Sequence, residues 1–408
     1  MMPSLHWFRR DLRVCDNPAL DAAGPDAVGV FIHDPRLQDV GAVRAGYLGE
    51  ALDELGAQRP LTVRAGDPVE VLREVAAQHG ARDVYCTGDT TPFARRRDRE
   101  VSAALASAGI TLHSVDTPYA IPPGEVLNGS GSAYRVFTPF YKAWLARGWP
   151  APAGAITESP ALTRWRAFRE GALGTYKKNR DFPAVSATSR LSAALHFGQI
   201  HPRTILAEIP DVATDPFARQ LAWREFCADI LWHQPQAVWD SLDTRFDTDM
   251  RYDHDDALFE AWAQGRTGYP FVDAGMRQLA TEGWMHNRLR MVTASFLVKD
   301  LHQPWQRGAA WFMKHLVDAD VANNQLGWQW VAGCGTDAAP YFRIFNPVTQ
   351  GRRFDPNGDY IRRYVPELAD VPDPHEPGVF APDYPAPVVD HARERDEALS
   401  RFQALPSR

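Results

Sequence analysis

The stretch from Gly283 to Trp330 carries more reactive side chains than an otherwise apolar, helix-like segment needs for packing. It opens Trp284-Met-His-Asn287-Arg288-Leu-Arg290-Met291 and closes Asp318-Ala319-Asp320-Val-Ala-Asn-Asn324-Gln-Leu-Gly-Trp328-Gln-Trp330. Indoles stack on flat faces, while amides, acids and arginines read polar edges, so the mixture suits a planar ligand with a polar rim. At helical pitch Asn287, Arg290 and Met291 share one face, and Arg288 points elsewhere, where it can meet a phosphate. The plain alternative is an Arg290 paired to an acid for packing alone, although desolvation makes such a pair a poor source of stability.

Two upstream motifs have matching chemistry. Tyr176-Lys-Lys-Asn-Arg180 is followed by Thr188-Ser189-Arg190-Leu191-Ser192. Hydroxyls and free backbone N–H groups opening a helix suit a pyrophosphate, and a simple N-cap is the competing reading. Gln220 and Trp223 stand three apart on a helix and share a face, an indole beside an amide that can stack on a base and read its edge. A core tryptophan is the ordinary alternative there, and Arg224 and Glu225 read as structural partners.

The elements that must position these residues fall into two regimes. Apolar runs at 4–8, 27–33, 61–65, 83–87 and 110–115 alternate with helix-like segments at 44–55 and 69–78. That alternation predicts a parallel five-stranded sheet, Rossmann-like, covered by helices on both faces. No G-x-G-x-x-G follows the first run, which argues against a usual dinucleotide site there. The turn-rich segment 118–131 ends this α/β region. Punctuation recurs at 149–160, and then helical periodicity takes over at 218–231, 255–264, 271–281, 287–298, 309–316 and 391–404. The expected organisation is an α/β domain over 1–131, a linker over 132–175 and an all-α domain over 176–408.

Composition excludes several classes. The 408 residues, 45% apolar and 23% charged, are those of an ordinary globular chain, and two domains are expected. No apolar run has the length of a bilayer span, and the first residues lack a secretory signal, so the cytoplasm is the expected compartment. Cys15, Cys86, Cys227 and Cys334 lack C-x-x-C spacing, and the histidines lack H-E-x-x-H, so free thiols and no structural metal are expected. A net charge of −7 excludes a uniformly basic coat but leaves room for a local cationic face.

On these residues the chain resembles the photolyase/cryptochrome flavoproteins, in particular the bacterial cyclobutane pyrimidine dimer photolyases. The resemblance runs through His6-Trp-Phe-Arg-Arg-Asp-Leu-Arg13, Phe137-Thr-Pro-Phe140, the 188–192 loop, Trp223-Arg-Glu-Phe, Thr267-Gly-Tyr-Pro, the 283–330 stretch and the 335–347 string. It implies an all-α C-terminal domain that holds FAD folded into a U. Tyr176 and Thr188, Ser189, Arg190, Leu191 and Ser192 would grip its phosphates. Asp318, Ala319 and Asp320 would meet the polar edge of the isoalloxazine, with Arg290 paired to Asp318, and Asn324 would face N5. The implied reaction is light-driven electron transfer from reduced FADH⁻ to a flipped-out thymine dimer, whose ring opens before the electron returns. The substrate is then ultraviolet-damaged DNA. Trp223 and Trp330 would wall its pocket, with Gln220, Asn287 and Met291 on the bases. Arg180, Arg224, Arg288 and Arg352 or Arg353 would serve the DNA strand.

The resemblance also sharpens distinctions inside the family. Six-four photolyases carry a histidine pair near positions 286 and 287, whereas this chain has His286-Asn287 and Met291, which favours cyclobutane dimers. A cryptochrome-type blue-light receptor remains the alternative, and a monomer is expected. Gln220 stands where relatives often have Glu, and Gln cannot supply a proton at neutral pH. The photoreduction chain maps to Trp328, Trp305 and Tyr252, so the outermost donor is a tyrosine or another aromatic such as Trp262 or Trp284. Phe93-Ala94 replaces the Asn-Glu pair of folate binders, which argues against a methenyltetrahydrofolate antenna. An 8-hydroxy-5-deazaflavin, another flavin or no antenna stay open.

Overall fold

A computed structural model of the chain describes residues 3–37, 39–154, 156–337 and 342–407. Part of the 335–347 string, Ala338 to Tyr341, therefore lies outside the described residues. The chain divides into two compact units, one of residues 1–173 with 189–235 and the other of residues 174–188 with 236–408.

The first unit holds a parallel sheet in the order β3-β2-β1-β4-β5, with β1 Leu5–Phe8, β2 Val28–His33, β3 Leu61–Ala65, β4 Asp83–Thr87 and β5 Thr111–Val115. All five expected runs form strands. Four successive residues of β1 are buried, as a strand covered on both faces requires, so its sequence shows no alternation. Leu5, Val30, Ile32 and Val84 pack with Val71, Leu72, Val75, Val101 and Leu105 of the flanking helices. Those helices begin where capping chemistry dictates. Asp67 accepts from the amides of Val69 and Glu70 ahead of Pro68–His79, and Thr91 does the same for Ala94 ahead of Pro92–Ala106.

The turn-rich segment after β5 is held along one side of the helix Ala218–His233. Glu225 accepts from the amides of Ala120 (2.5 Å) and Ile121 (3.2 Å) and from Trp144 Nε1 (2.6 Å), and Asp229 accepts from Gly124 (2.7 Å). Gly124 is left-handed (φ 94°), and a Cβ there would lie 2.4 Å from Trp232 Nε1, so only glycine fits. Burial pushes the Glu225 carboxyl up to about 7 against the pull of these donors.

The second unit is helical around a core that includes Trp262, Trp305, Phe312 and Trp328. The helix expected at 309–316 begins earlier, as Trp305–His315, because Pro304 stands at its start and cannot continue an element behind it. The helix expected at 287–298 is two pieces, an α-helix Asn287–Ser295 and a π-turn Phe296–Asp300. The turn directs Lys299 Nζ to the Arg343 carbonyl and Asp300 to His391, long-range partners that no local periodicity reveals.

Candidate functional site

In the second unit the helix Val321–Ala332 starts on an Asp-x-x-Asn signal. Asp320 Oδ1 accepts from the Asn323 amide (3.0 Å) and from its side chain (2.8 Å). Asp318, Ala319 and Asp320 are all buried just before it. Arg290, from the helix Asn287–Ser295, places Nη2 3.0 and 2.8 Å from the two Asp318 oxygens, and its Nε donates to the Met285 carbonyl at 2.8 Å. Asn324 donates through Nδ2 to the Ala309 carbonyl (3.1 Å) and to Gln325 Oε1 (2.7 Å). Both donors spent, its Oδ1 takes no hydrogen bond from any described residue and is left as an acceptor.

Gln325 and Gln329, four apart, fix this helix from behind. Gln325 donates to Val238, and Gln329 donates to Ala237 and Asp240 while accepting from the Leu242 amide. Sequence reasoning missed both as positioning residues, although their i,i+4 spacing was the available signal. Trp328 is 3% exposed, and its rings meet Phe312 at 5.0 Å and Trp262 at 6.1 Å. Its outer edge lies on Gly308, where a Cβ would come within 2.1 Å of Cη2. Trp305 is fully buried and donates to Ser241 Oγ at 2.9 Å. Trp330 is partly exposed and donates to the Asp337 carbonyl at 3.1 Å.

Along the helix Asn287–Ser295, the cap is His286, whose Nδ1 accepts from the Arg288 amide at 3.1 Å. Burial pushes its pKa down to about 4, so the ring is neutral at physiological pH. Asn287 is exposed, Met291 is half-buried, and the Asn287 amide reaches Met291 Sδ at 3.8 Å, as their shared face predicts. Arg288 does point elsewhere. It is paired with Asp181 (2.9 Å) and lies over Phe354 (4.2 Å). Arg180 lies 5.5 Å over the ring of the buried Tyr176. Arg352 is tied to Asp373 (2.7 Å) and Glu376 (2.5 Å), whereas Arg353 is exposed and has no ion-pair partner among the described residues. Thr188 is half-buried at the end of this unit's 174–188 segment.

In the first unit Ser189 Oγ accepts from the Leu191 amide at 3.3 Å, and Arg190 takes a left-handed conformation (φ 50°). The helix that follows, Ser192–Phe197, has only six residues, so its free amide groups matter more than any accumulated dipole. Gln220 and Trp223 do share a face of the helix Ala218–His233. Trp223 is stacked flat on Phe137, with centroids 3.8 Å apart and planes at 8°, and is partly exposed. Phe137 stands in the Phe-Thr-Pro-Phe string, whose stacking role the sequence did not disclose. Arg224 spends its guanidinium on the carbonyls of Pro118 (3.0 Å) and Leu195 (3.3 Å), and Glu225 holds 120–121, so both are structural partners as expected.

A buried carboxylate with a fixed arginine and an amide with a free acceptor oxygen match the hydrogen-bonding rim of a flavin. Residues 4–160 match the family model described as DNA photolyase, and residues 217–404 match the FAD binding domain of DNA photolyase. Deoxyribodipyrimidine photo-lyases of Escherichia coli and Streptomyces griseus are 38% and 40% identical, covering 99% and 97% of both chains. A class III photolyase from Agrobacterium tumefaciens superimposes with a TM-score of 0.90 at 35% identity, covering 99% of this chain and 98% of that one. A Sulfolobus tokodaii photolyase with two FAD molecules gives 0.89 at 29% identity, covering 99% and 100%. A Synechocystis cryptochrome gives 0.88 at 26% identity, covering 98% and 99%. The fold and these residues define a flavoprotein of the photolyase/cryptochrome class. Within that class, the chain belongs to the DNA photolyase family.

Proposed function

We infer that this chain is a light-dependent DNA repair enzyme that splits cyclobutane pyrimidine dimers. The observation that carries the reading is the full-length match to deoxyribodipyrimidine photo-lyases, joined to an acceptor oxygen on Asn324 beside the Arg290–Asp318 pair. FAD, when bound, supplies the light absorption and the one-electron chemistry.

The residues do the rest. Asp318, Ala319 and Asp320 receive the polar edge of the ring, and Arg290 neutralises Asp318 so that a buried carboxylate there is tolerable. Asn324 Oδ1 holds the proton at N5. Tyr176 and the 188–192 loop take the phosphates. A dimer must leave the stack to react, photolyases themselves being among the enzymes from which that generalisation is drawn. Trp223, held by Phe137, and Trp330 offer indole faces to it, with Gln220, Asn287 and Met291 at its edges. Arg180, Arg288 and Arg353 meet phosphates, Arg352 contributing once its acids release it. Arg224 acts through its backbone contacts. We assign 1–131 to an antenna-type domain, 132–175 to the connection and 176–408 to the flavin domain, in a monomeric cytoplasmic protein. For the antenna, the Phe93-Ala94 pair leaves open another flavin, an 8-hydroxy-5-deazaflavin or none.

The test is loss of dimers from an ultraviolet-irradiated oligothymidylate under blue light, with a dark control. Light-dependent loss is expected. Flavin uptake without any loss would leave a blue-light receptor as the function. Gln220→Glu should raise the yield of a parent that already repairs, because an acid can hydrogen-bond and protonate the lesion. A parent inactive until that substitution would refute the role given to Gln220.

A further inference from the structure

The fate of Tyr252 bears on how oxidised flavin would be reduced by light. A tyrosine that gives up an electron must shed its phenolic proton to a nearby base, since the oxidised phenol is a strong acid. The Tyr252 hydroxyl is closed off from solvent and makes no hydrogen bond to any described residue. The polar groups about it are already engaged. His302, in the same small cavity, spends Nε2 on Glu394 (3.0 Å), and Arg251 and Arg401 there are paired with Glu397 and Asp253. The Asp247 carboxylate that acts on the phenol accepts from Ser241. Burial also drives the phenol pKa well above its ordinary value. Trp305 offers no outlet either, being fully buried with its indole N–H committed to Ser241.

A different row of rings leaves Trp328. Trp262 meets Trp328 edge to face at 6.1 Å and 73°. Phe259 lies 5.6 Å from Trp262 and 6.0 Å from Trp311. Trp311 is partly exposed, stacks on His315 at 4.1 Å, and has no indole N–H partner among the described residues, so water can take its proton. A tryptophan can give up its electron before its proton, which makes this row suited to stepwise transfer where Tyr252 is not.

We propose that Trp328 is re-reduced through Trp262 and Trp311, with Phe259 as the bridge, and that Tyr252 is not the terminal donor. This rests on the flavin reading above. Trp328 would give one electron to photoexcited oxidised flavin when it is bound, Trp262 would refill Trp328, and Trp311 would refill Trp262. The Trp311 radical cation releases its N–H proton to water. A thiol in solution then donates a hydrogen atom to the neutral radical.

The experiment is blue-flash transient absorption on the oxidised, flavin-loaded protein and its variants, with steady photoreduction in the presence of a thiol. The long-lived tryptophan radical is expected to vanish in Trp311→Phe and to persist in Tyr252→Phe. Its persistence in Trp311→Phe, or its loss in Tyr252→Phe, would overturn the route. Flavin content is read on every sample. If Trp311→Phe loses flavin, Trp262→Phe interrupts the same row and carries the test by the same criteria. A parent protein that takes up no flavin would instead sink the functional reading itself.

Discussion

Lys299 offers the sharpest physical test of the helical unit. Its side chain is 2% exposed, its ammonium reaches the Arg343 carbonyl, and it lies 4.3 Å over the Phe342 ring. Burial pushes its pKa from 10.5 down to about 7, against the attraction of Asp300. Between about pH 7 and about pH 10.5 the unfolded chain therefore holds a proton that the folded chain lacks, and stability rises with pH across that window. Below it both states are protonated and the burial penalty is complete. At ~1.4 kcal/mol per pH unit, that penalty is ~5 kcal/mol. Lys299→Met keeps most of the side-chain volume and removes the charge, at the loss of a hydrogen bond worth ~1 kcal/mol. The substituted protein should thus be more stable than the parent by ~2–4 kcal/mol near neutrality, with the advantage fading toward pH 10. Denaturant midpoints of both proteins at a series of pH values read this directly. An advantage that stays constant or grows with pH would refute the reasoning.

Three further outcomes are expected. Gly308→Ala drives a methyl against the Trp328 ring and Leu297, so it should cost ~1–3 kcal/mol in thermal unfolding, whereas the same change at open Gly56 should not. Asn324→Ala removes the acceptor oxygen, and the photoreduced flavin should return to its oxidised spectrum in air faster than in the parent. Arg353→Ala should lower the salt dependence of binding to damaged DNA by a slope of about one, and Arg352→Ala by less because Asp373 and Glu376 already compete for its charge.

Much of the fold was legible because the signals are local. Five apolar runs and helical periodicity placed the strands and eight helical segments, but Pro92–Ala106, Phe137–Arg147 and Pro160–Gly171 went unread because their polar and aromatic residues blur the apolar period. The acids and amides of the 283–330 stretch, with the string-by-string resemblance, also marked out the flavin-edge candidates. Asn287 and Met291 met as their spacing required. Less was legible wherever a residue's partner is distant in sequence. Nothing local announces that Trp223 lies flat on Phe137 or that Gln329 reads the backbone of 237–242.

The sequence by itself determined which side chains are available and the pitch at which helices and strands present them, since both follow from short-range sterics and periodicity. Tertiary packing alone decided which of those side chains remain free. It spent Arg352 on two acids, left the Asn324 oxygen open, closed off the Tyr252 hydroxyl and put Trp262 against Trp328. The reason is that desolvation and hydrogen-bond satisfaction depend on every neighbour in space, and those neighbours come from segments tens of residues apart.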